Sequence, residues 1–266
     1  MISRLMLRGI WQYRGFVLES VKREFHAKYS NAILGAAWAI LSPLAMIVVY
    51  TVIFAQVMRS KLPGNESTFA YSIYLCAGIL TWGLFAEITA RAQNMFIEQA
   101  NLMKKISFPR ICLPLIVVAN ALLNFGIIFG LFTAFLVISG NFPGWIYAAI
   151  LPILVLQVLF AIGLGMIIGV LNVFFRDIGQ FFTIFVQFWF WFTPIVYPAS
   201  ILPEGVRAWL FLNPLAPMIA AYQTILVKGG APDWASLLPT LLVALAMCAF
   251  GMRLFRKRSG EMVDEL

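Results

Sequence analysis

Long charge-free apolar stretches alternate with short charged ones along this chain: residues 33–58, 67–86, 111–175 and 178–203 carry no ionisable side chain of Asp, Glu, Lys or Arg. About 20 apolar residues cross the ~30 Å of membrane hydrocarbon as a helix, and a soluble helix would interrupt such runs with a polar face every turn. The run from Ile111 to Phe175 is too long for one crossing, and Gly140-Asn141-Phe142-Pro143-Gly144 divides it with strong turn residues. The pattern predicts an all-α integral membrane protein with six transmembrane helices, at 33–57, 69–90, 111–138, 146–172, 180–197 and 236–254.

Residues 208–227 are also apolar, but Asn213-Pro214 and Pro217 interrupt them, with Pro194, Pro198 and Pro203 upstream. Proline removes a backbone donor, and broken backbone at membrane depth survives only where protein or water covers it. Charge decides the number of crossings. Six spans place both termini and 15 of the 19 Lys and Arg in the cytoplasm, leaving Arg59, Lys61, Arg207 and Lys228 outside. A seventh crossing would expel Arg253, Arg256, Lys257 and Arg258. The region 198–222 is therefore expected to form short re-entrant helices on the outer side. Residues 1–32 are expected to form an amphipathic interface helix. Trp11, Leu18, Val21, Phe25 and Tyr29 recur on its apolar side, and Gln12, Glu19, Arg23 and His26 lie opposite. With Arg14, its basic residues suit anionic headgroups. It is either an anchor or a docking surface that gates the first span. The transmembrane domain is 33–254, and 255–266 reads as a cytoplasmic tail.

Composition narrows the chemistry. Hydrophobic residues make up 62% and charged ones 11%, against about 45–50% and 25% in soluble domains. The basic excess is topological, so no nucleic acid partner is expected. No metal-ligand spacing joins Cys76, Cys112 and Cys248, which read as apolar fillers, and His26 reads as a solvated face residue. Ionisable residues at membrane depth mark function, yet Glu87 is the one carboxylate inside a predicted span, near its cytoplasmic end. That inventory argues against ion-coupled transport and against catalysis in the spans. No G-x-x-x-x-G-K-[ST] loop is present, so if the chain works against a gradient its energy must come from another polypeptide.

Two cytoplasmic elements could receive such a partner. Residues 95–108 follow span two, with Asn94, Glu98, Asn101 and Lys105 on one helical face and Pro109 as the stop. Arg176-Asp177 joins spans four and five, with Asp177 placed to cap the next helix. Both also read as an ordinary positive-inside loop and a capped helix start. Span five concentrates Phe181, Phe182, Phe185, Phe188, Trp189, Phe190, Trp191 and Phe192. These rings suit either the faces of sugars or a lipid-facing belt.

Several segments resemble the membrane subunits of ABC type-2 exporters of cell-surface polysaccharides. They are Leu34-Gly35 with Trp38-Ala39-Ile40-Leu41-Ser42-Pro43, Gly78-Ile79-Leu80-Thr81-Trp82, the stretch Asn101 to Arg110, Phe175-Arg176-Asp177-Ile178, Thr193-Pro194-Ile195-Val196-Tyr197-Pro198 and Asn213-Pro214-Leu215. Their order spans nearly the whole chain. The resemblance implies a homodimer around one channel, joined to two copies of a nucleotide-binding ATPase subunit. It carries lipid-linked polysaccharide across the bacterial inner membrane, with no cofactor on this chain. It implies ATPase coupling by Glu98, Asn101, Lys104, Lys105, Phe108, Pro109, Arg110, Arg176 and Asp177. A channel would be lined by Trp38, Trp82, Phe185, Phe188, Trp189, Phe192 and Tyr197. Six helices of one copy enclose too little space for a glycan, so a pore between two copies suits the cargo. Where members often carry arginine after a tyrosine, this chain has Tyr222-Gln223. The Arg-Asp loop and the ending Met262-Val263-Asp264-Glu265-Leu266 look more like O-antigen exporters than capsule exporters, and teichoic acid exporters share the pattern. A drug or lipid exporter and a membrane-embedded glycan-modifying enzyme are the remaining alternatives.

Overall fold

A computed structural model of the chain describes residues 13–29, 34–57, 69–105 and 110–265, and every regular element among them is helical. The order is α1 (Arg14–Tyr29), α2 (Trp38–Thr51, running into a π-helical stretch Val52–Val57), α3 (Ala70–Glu98) and α4 (Ala100–Lys105). It continues with α5 (Cys112–Ile138), a 3₁₀ stretch Gly144–Ala149, α6 (Ile150–Phe174) and α7 (Asp177–Trp191). Short helical pieces, including α8 (Glu204–Arg207), lead to α9 (Leu215–Lys228), α10 (Trp234–Arg258) and α11 (Glu261–Glu265).

Among the described residues, four helical stretches are long and apolar enough to cross a membrane: Ala70–Glu98, Cys112–Ile138, Gly144–Phe174 and Trp234–Arg258. Gly140 and Gly144 take positive φ (70° and 72°) at the expected break between α5 and α6, a conformation that favours glycine. The elements at the first and fifth expected spans are shorter. Helix α7 has 15 residues, or about 22 Å at 1.5 Å per residue, and the chain beyond it continues as irregular backbone from Thr193.

Helices α3 and α6 form the centre, α10 packs on the other side of α6, and α9 lies against α3 and α6. Small residues let these helices approach closely, the usual means of association where water provides no hydrophobic drive. A Cβ on Gly165 would fall 2.5 Å from Ala92 Cβ, and one on Gly169 would fall 2.5 Å from the Ala92 carbonyl oxygen. On the opposite side, a Cβ on Gly163 would meet the Cys248 amide at 2.8 Å. The outer face of α10 stays apolar and exposed through Leu238, Leu242, Leu245 and Phe250, as a lipid-facing side requires.

Three boundaries differ from the sequence reading. The expected helix 95–108 divides: Met95 and Phe96 are buried and continue α3, Gln99 turns, and α4 is a separate short helix. Burial drives this, because Phe96 stacks on Phe255 of α10 with ring centroids 5.4 Å apart. The tail expected from 255 onward is folded, since α10 runs to Arg258 and Met262 of α11 is fully buried. The protein-facing side of α1 is Ser20 and Val21, with Glu24 beside them, whereas Leu18 is 66% exposed. Trp11 lies outside the described residues.

Gly169→Val places carbon against backbone that has no room to move. We expect a loss of about 1–3 kcal/mol, the usual range for overpacking, read as a lower melting temperature in detergent. An unchanged melt would contradict the close α3–α6 contact.

Candidate functional site at one end of the bundle

The ends of α3, α6 and α10 and the starts of α5 and α7 meet at one end of the bundle. Asn172, buried near the end of α6, ties three elements together there. Its Nδ2 donates to the Gln93 carbonyl (2.9 Å) and to Asn94 Oδ1 (3.3 Å), and its Oδ1 accepts the Gly179 amide (3.0 Å). That amide is one of the first four in α7, which lack an intrahelical acceptor. Gln93 Nε2 donates to Thr183 Oγ1 at 3.1 Å, adding a second link between α3 and α7. Only glycine fits at 179, because a Cβ would stand 2.6 Å from Asn172 Oδ1. The turn so fixed presents Arg176 and Asp177 to the exterior. Asp177 is the first residue of α7 rather than its cap, so its contribution is a carboxylate near the positive end of the helix dipole.

Glu98, Asn101 and Lys104 are exposed at the end of α3 and on α4. The Lys105 side chain, Phe108 and Pro109 lie outside the described residues. Arg110 takes an internal partner: its guanidinium donates to the Ser259 carbonyl beyond the end of α10.

A second polar cluster, absent from the sequence reading apart from Glu87, joins α1 to the bundle. Arg91 donates through Nε to Glu87 Oε1 (3.1 Å) and through Nη1 to Glu24 Oε2 (3.3 Å). Two amides of α5 complete it: Asn120 donates to Glu24 Oε2 at 2.6 Å and Asn124 to Glu87 Oε2 at 2.7 Å. All three charges are partly buried, so each bond is shielded more than a surface pair. The legible signal was Asn120 and Asn124, one turn apart in a charge-free span. Of the expected interface residues, Arg14 and Arg23 are exposed, and Phe25 is half-buried with its ring edge-on to His26 (6.5 Å, 80°).

The aromatic residues divide into two sets. Trp82 is 8% exposed and packs inside the protomer on Phe85, Trp189 and Phe190. Phe188 (61%) and Phe192 (71%) are exposed on α7 with Phe181 and Phe185, and Trp38 is exposed on α2. Trp82 therefore packs within the protomer, whereas the other set of rings is exposed on its surface.

Beyond α7 the chain leaves the helix. Thr193, Pro194 and Ile195 are buried, with Ile195 against Gly78 of α3, where a Cβ would meet Ile195 Cγ2 at 3.0 Å. Side chains satisfy the irregular carbonyls. Tyr74 Oη donates to Tyr197 (2.9 Å) and Pro194 (3.2 Å), Tyr71 Oη to Val196 (2.8 Å), and Gln223 Nε2 to Pro194 (3.4 Å). Gln223, at the position of the noted departure, is thus an internal donor. Asn213 accepts from Trp189 Nε1 (2.9 Å) and from the Leu215 amide (3.1 Å), and donates to Thr193 Oγ1 (2.9 Å). Tyr197 Oη closes the segment on the Trp191 carbonyl at 2.7 Å.

Among the described residues no three His, Cys, Asp or Glu gather as a metal site. The arrangement is an all-helical membrane body with an exposed charged face at one end and an apolar aromatic face along its side. A family model described as "ABC-2 type transporter" matches residues 17–227, and the chain belongs to that family. It is 29% identical to the O-antigen export system permease protein of Myxococcus xanthus over 98% of this chain and 99% of that one. It is 31% identical to a Klebsiella pneumoniae protein of the same description, over 78% of each. To the polysialic acid transport protein of Escherichia coli it is 22% identical, over 91% of this chain and 92% of that one.

Two experiments test the local chemistry. A double-mutant cycle of Glu24→Gln and Arg91→Gln should give a coupling of about 0.5–3 kcal/mol in unfolding free energy, and additivity would remove α1 from the clamp. Tyr74→Phe removes the side-chain donor to the part-buried Tyr197 carbonyl and leaves the Pro194 carbonyl to Gln223 alone; it should cost about 1–3 kcal/mol, read by the same melts.

Proposed function

We propose that this chain is the membrane subunit of an ATP-driven exporter that moves a lipid-linked polysaccharide, O-antigen, across the bacterial inner membrane. The observation that carries the reading is likeness over nearly the full length to permeases named for O-antigen export. Two copies of the chain assemble with two copies of a separate ATPase subunit, which binds and hydrolyses ATP with Mg. The spans are α2, α3, α5, α6, α7 with the irregular segment after it, and α10. Both termini lie in the cytoplasm, α1 rests at the interface, and 198–222 sits on the outer side.

Force enters at α4 and at the Arg176-Asp177 turn. Lys104, Asn101 and Glu98 meet the ATPase together with Arg176, and the Asn172 bracket passes the displacement to α3, α6 and α7 as one unit. The exposed rings of α2 and α7 face the second copy across the conduit. Aromatic faces suit a glycan, because they stack on sugar C–H surfaces and fix no charge that would stop a polymer from sliding. Trp82 and Trp189 hold that wall from behind. The Arg91 clamp makes α1 follow α3, and with it the start of α2.

A purified complex of this chain with its ATPase subunit tests the reading. We expect lipid-linked glycan to stimulate ATP hydrolysis and small amphiphiles to leave it unchanged. Stimulation by the amphiphiles alone indicates a drug or lipid exporter, and stimulation by teichoic acid or capsule precursors reassigns the cargo. Glycan modification by the chain without ATPase makes it an enzyme. Replacing Lys104 and Arg176 together by Glu should reduce export at least fivefold in cells, and normal export would refute the coupling face.

A further inference from the structure

The last span does not end in a loose tail. Phe255 is buried and stacks nearly parallel (14°) on Phe96 of α3. Arg258 lies over the Phe174 ring, 5.8 Å from its centroid, at the point where α6 gives way to the Arg176 turn, and it pairs with Glu261. Chain reversal at Ser259 and Gly260 brings α11 back across this end, where it packs on α6 and on α4. Met262 is fully buried, and Met103 of α4 is buried as well. Arg110, immediately before α5, donates to the Ser259 carbonyl, a group the end of α10 leaves without a helical donor.

These contacts have one mechanical consequence. Helix α4 has six residues, too few to hold a helical conformation or an orientation by itself. One of its attachments is the turn from α3, and another is the packing of α11 against it. The partners of the C-terminal segment are the structures on either side of the two expected coupling elements. They are Phe96 before α4, Arg110 after it, and Phe174 before the Arg176 turn.

We propose that residues 255–262 and Arg110 form a brace that positions α4 and links it to α10. On this assignment Arg110 is a positioning residue, spent on the chain's own backbone, and not an ATPase contact. A push delivered at α4 then reaches α10 directly as well as α3, so the last span moves with the second. The proposal rests on the exporter reading, since positioning α4 matters only if α4 receives force.

The test uses the intact chain in complex with its ATPase subunit. The variants are Arg110→Ala, Arg110→Lys and Met262→Asp, each assayed for retention of the ATPase, ATP hydrolysis and export of lipid-linked glycan. We expect Arg110→Ala and Met262→Asp to retain the ATPase and to hydrolyse ATP within twofold of the parent, while export falls tenfold or more. Arg110→Lys restores most export, because an ammonium can still donate to Ser259. Loss of the ATPase from the complex, parallel loss of hydrolysis and export, or undiminished export each overturns the brace. Failure of the unsubstituted complex to couple hydrolysis to glycan export overturns the exporter reading instead, so the two failures are separable.

Discussion

In hydrocarbon an unpaired backbone carbonyl or a lone charge costs several kcal/mol, and water is absent to repair it. That constraint organises this protein. Helices satisfy most of the backbone, and an irregular segment and a cluster of charges within the bundle are each enclosed by donors from other elements. At one end, Tyr71, Tyr74 and Gln223 donate to the carbonyls of Pro194, Val196 and Tyr197. At the opposite end, one guanidinium and two amides neutralise and hold Glu24 and Glu87.

The same constraint explains why the irregular segment sits where it does. It is threaded between α3 and α9, with Gly78 leaving room for Ile195, so its cover is protein and not lipid. A short α7 becomes tolerable for that reason. Trp189 shows how the two ends of the logic meet: its ring packs on Trp82 and Phe85, while its indole N–H holds Asn213, which in turn orders the start of α9. The aromatic face toward the exterior is thus mounted on a polar scaffold.

Rigidity at the charged end follows from close approach. Gly165 and Gly169 bring α6 against Ala92, and Asn172 then reaches the Gln93 carbonyl one turn further along. Without the glycines the amide would stand too far away to bracket α7. Packing and polar contacts are therefore coupled, and the surface bearing Arg176, Asp177 and Lys104 is held by several elements at once.

Composition and periodicity alone determined the apolar helical class, the break at Gly140–Gly144, and the ends where charge collects. Hydrocarbon length and the cost of buried charge leave little freedom in those matters. Short motifs in order also made the exporter resemblance legible, and a family model over residues 17–227 agrees with it. Tertiary structure decided the rest. Whether Trp82 faces inward, which side of α1 meets the bundle, where span two ends, and that residues after 255 fold back all depend on partners far away in sequence. Glu24, Arg91 and Asn120 are unremarkable singly, because a hydrogen bond between positions 24 and 120 leaves no local periodic trace. Only the three-dimensional neighbourhood gives such residues a role, since in a span rich in Phe and Leu every face is apolar and hydropathy cannot choose among them.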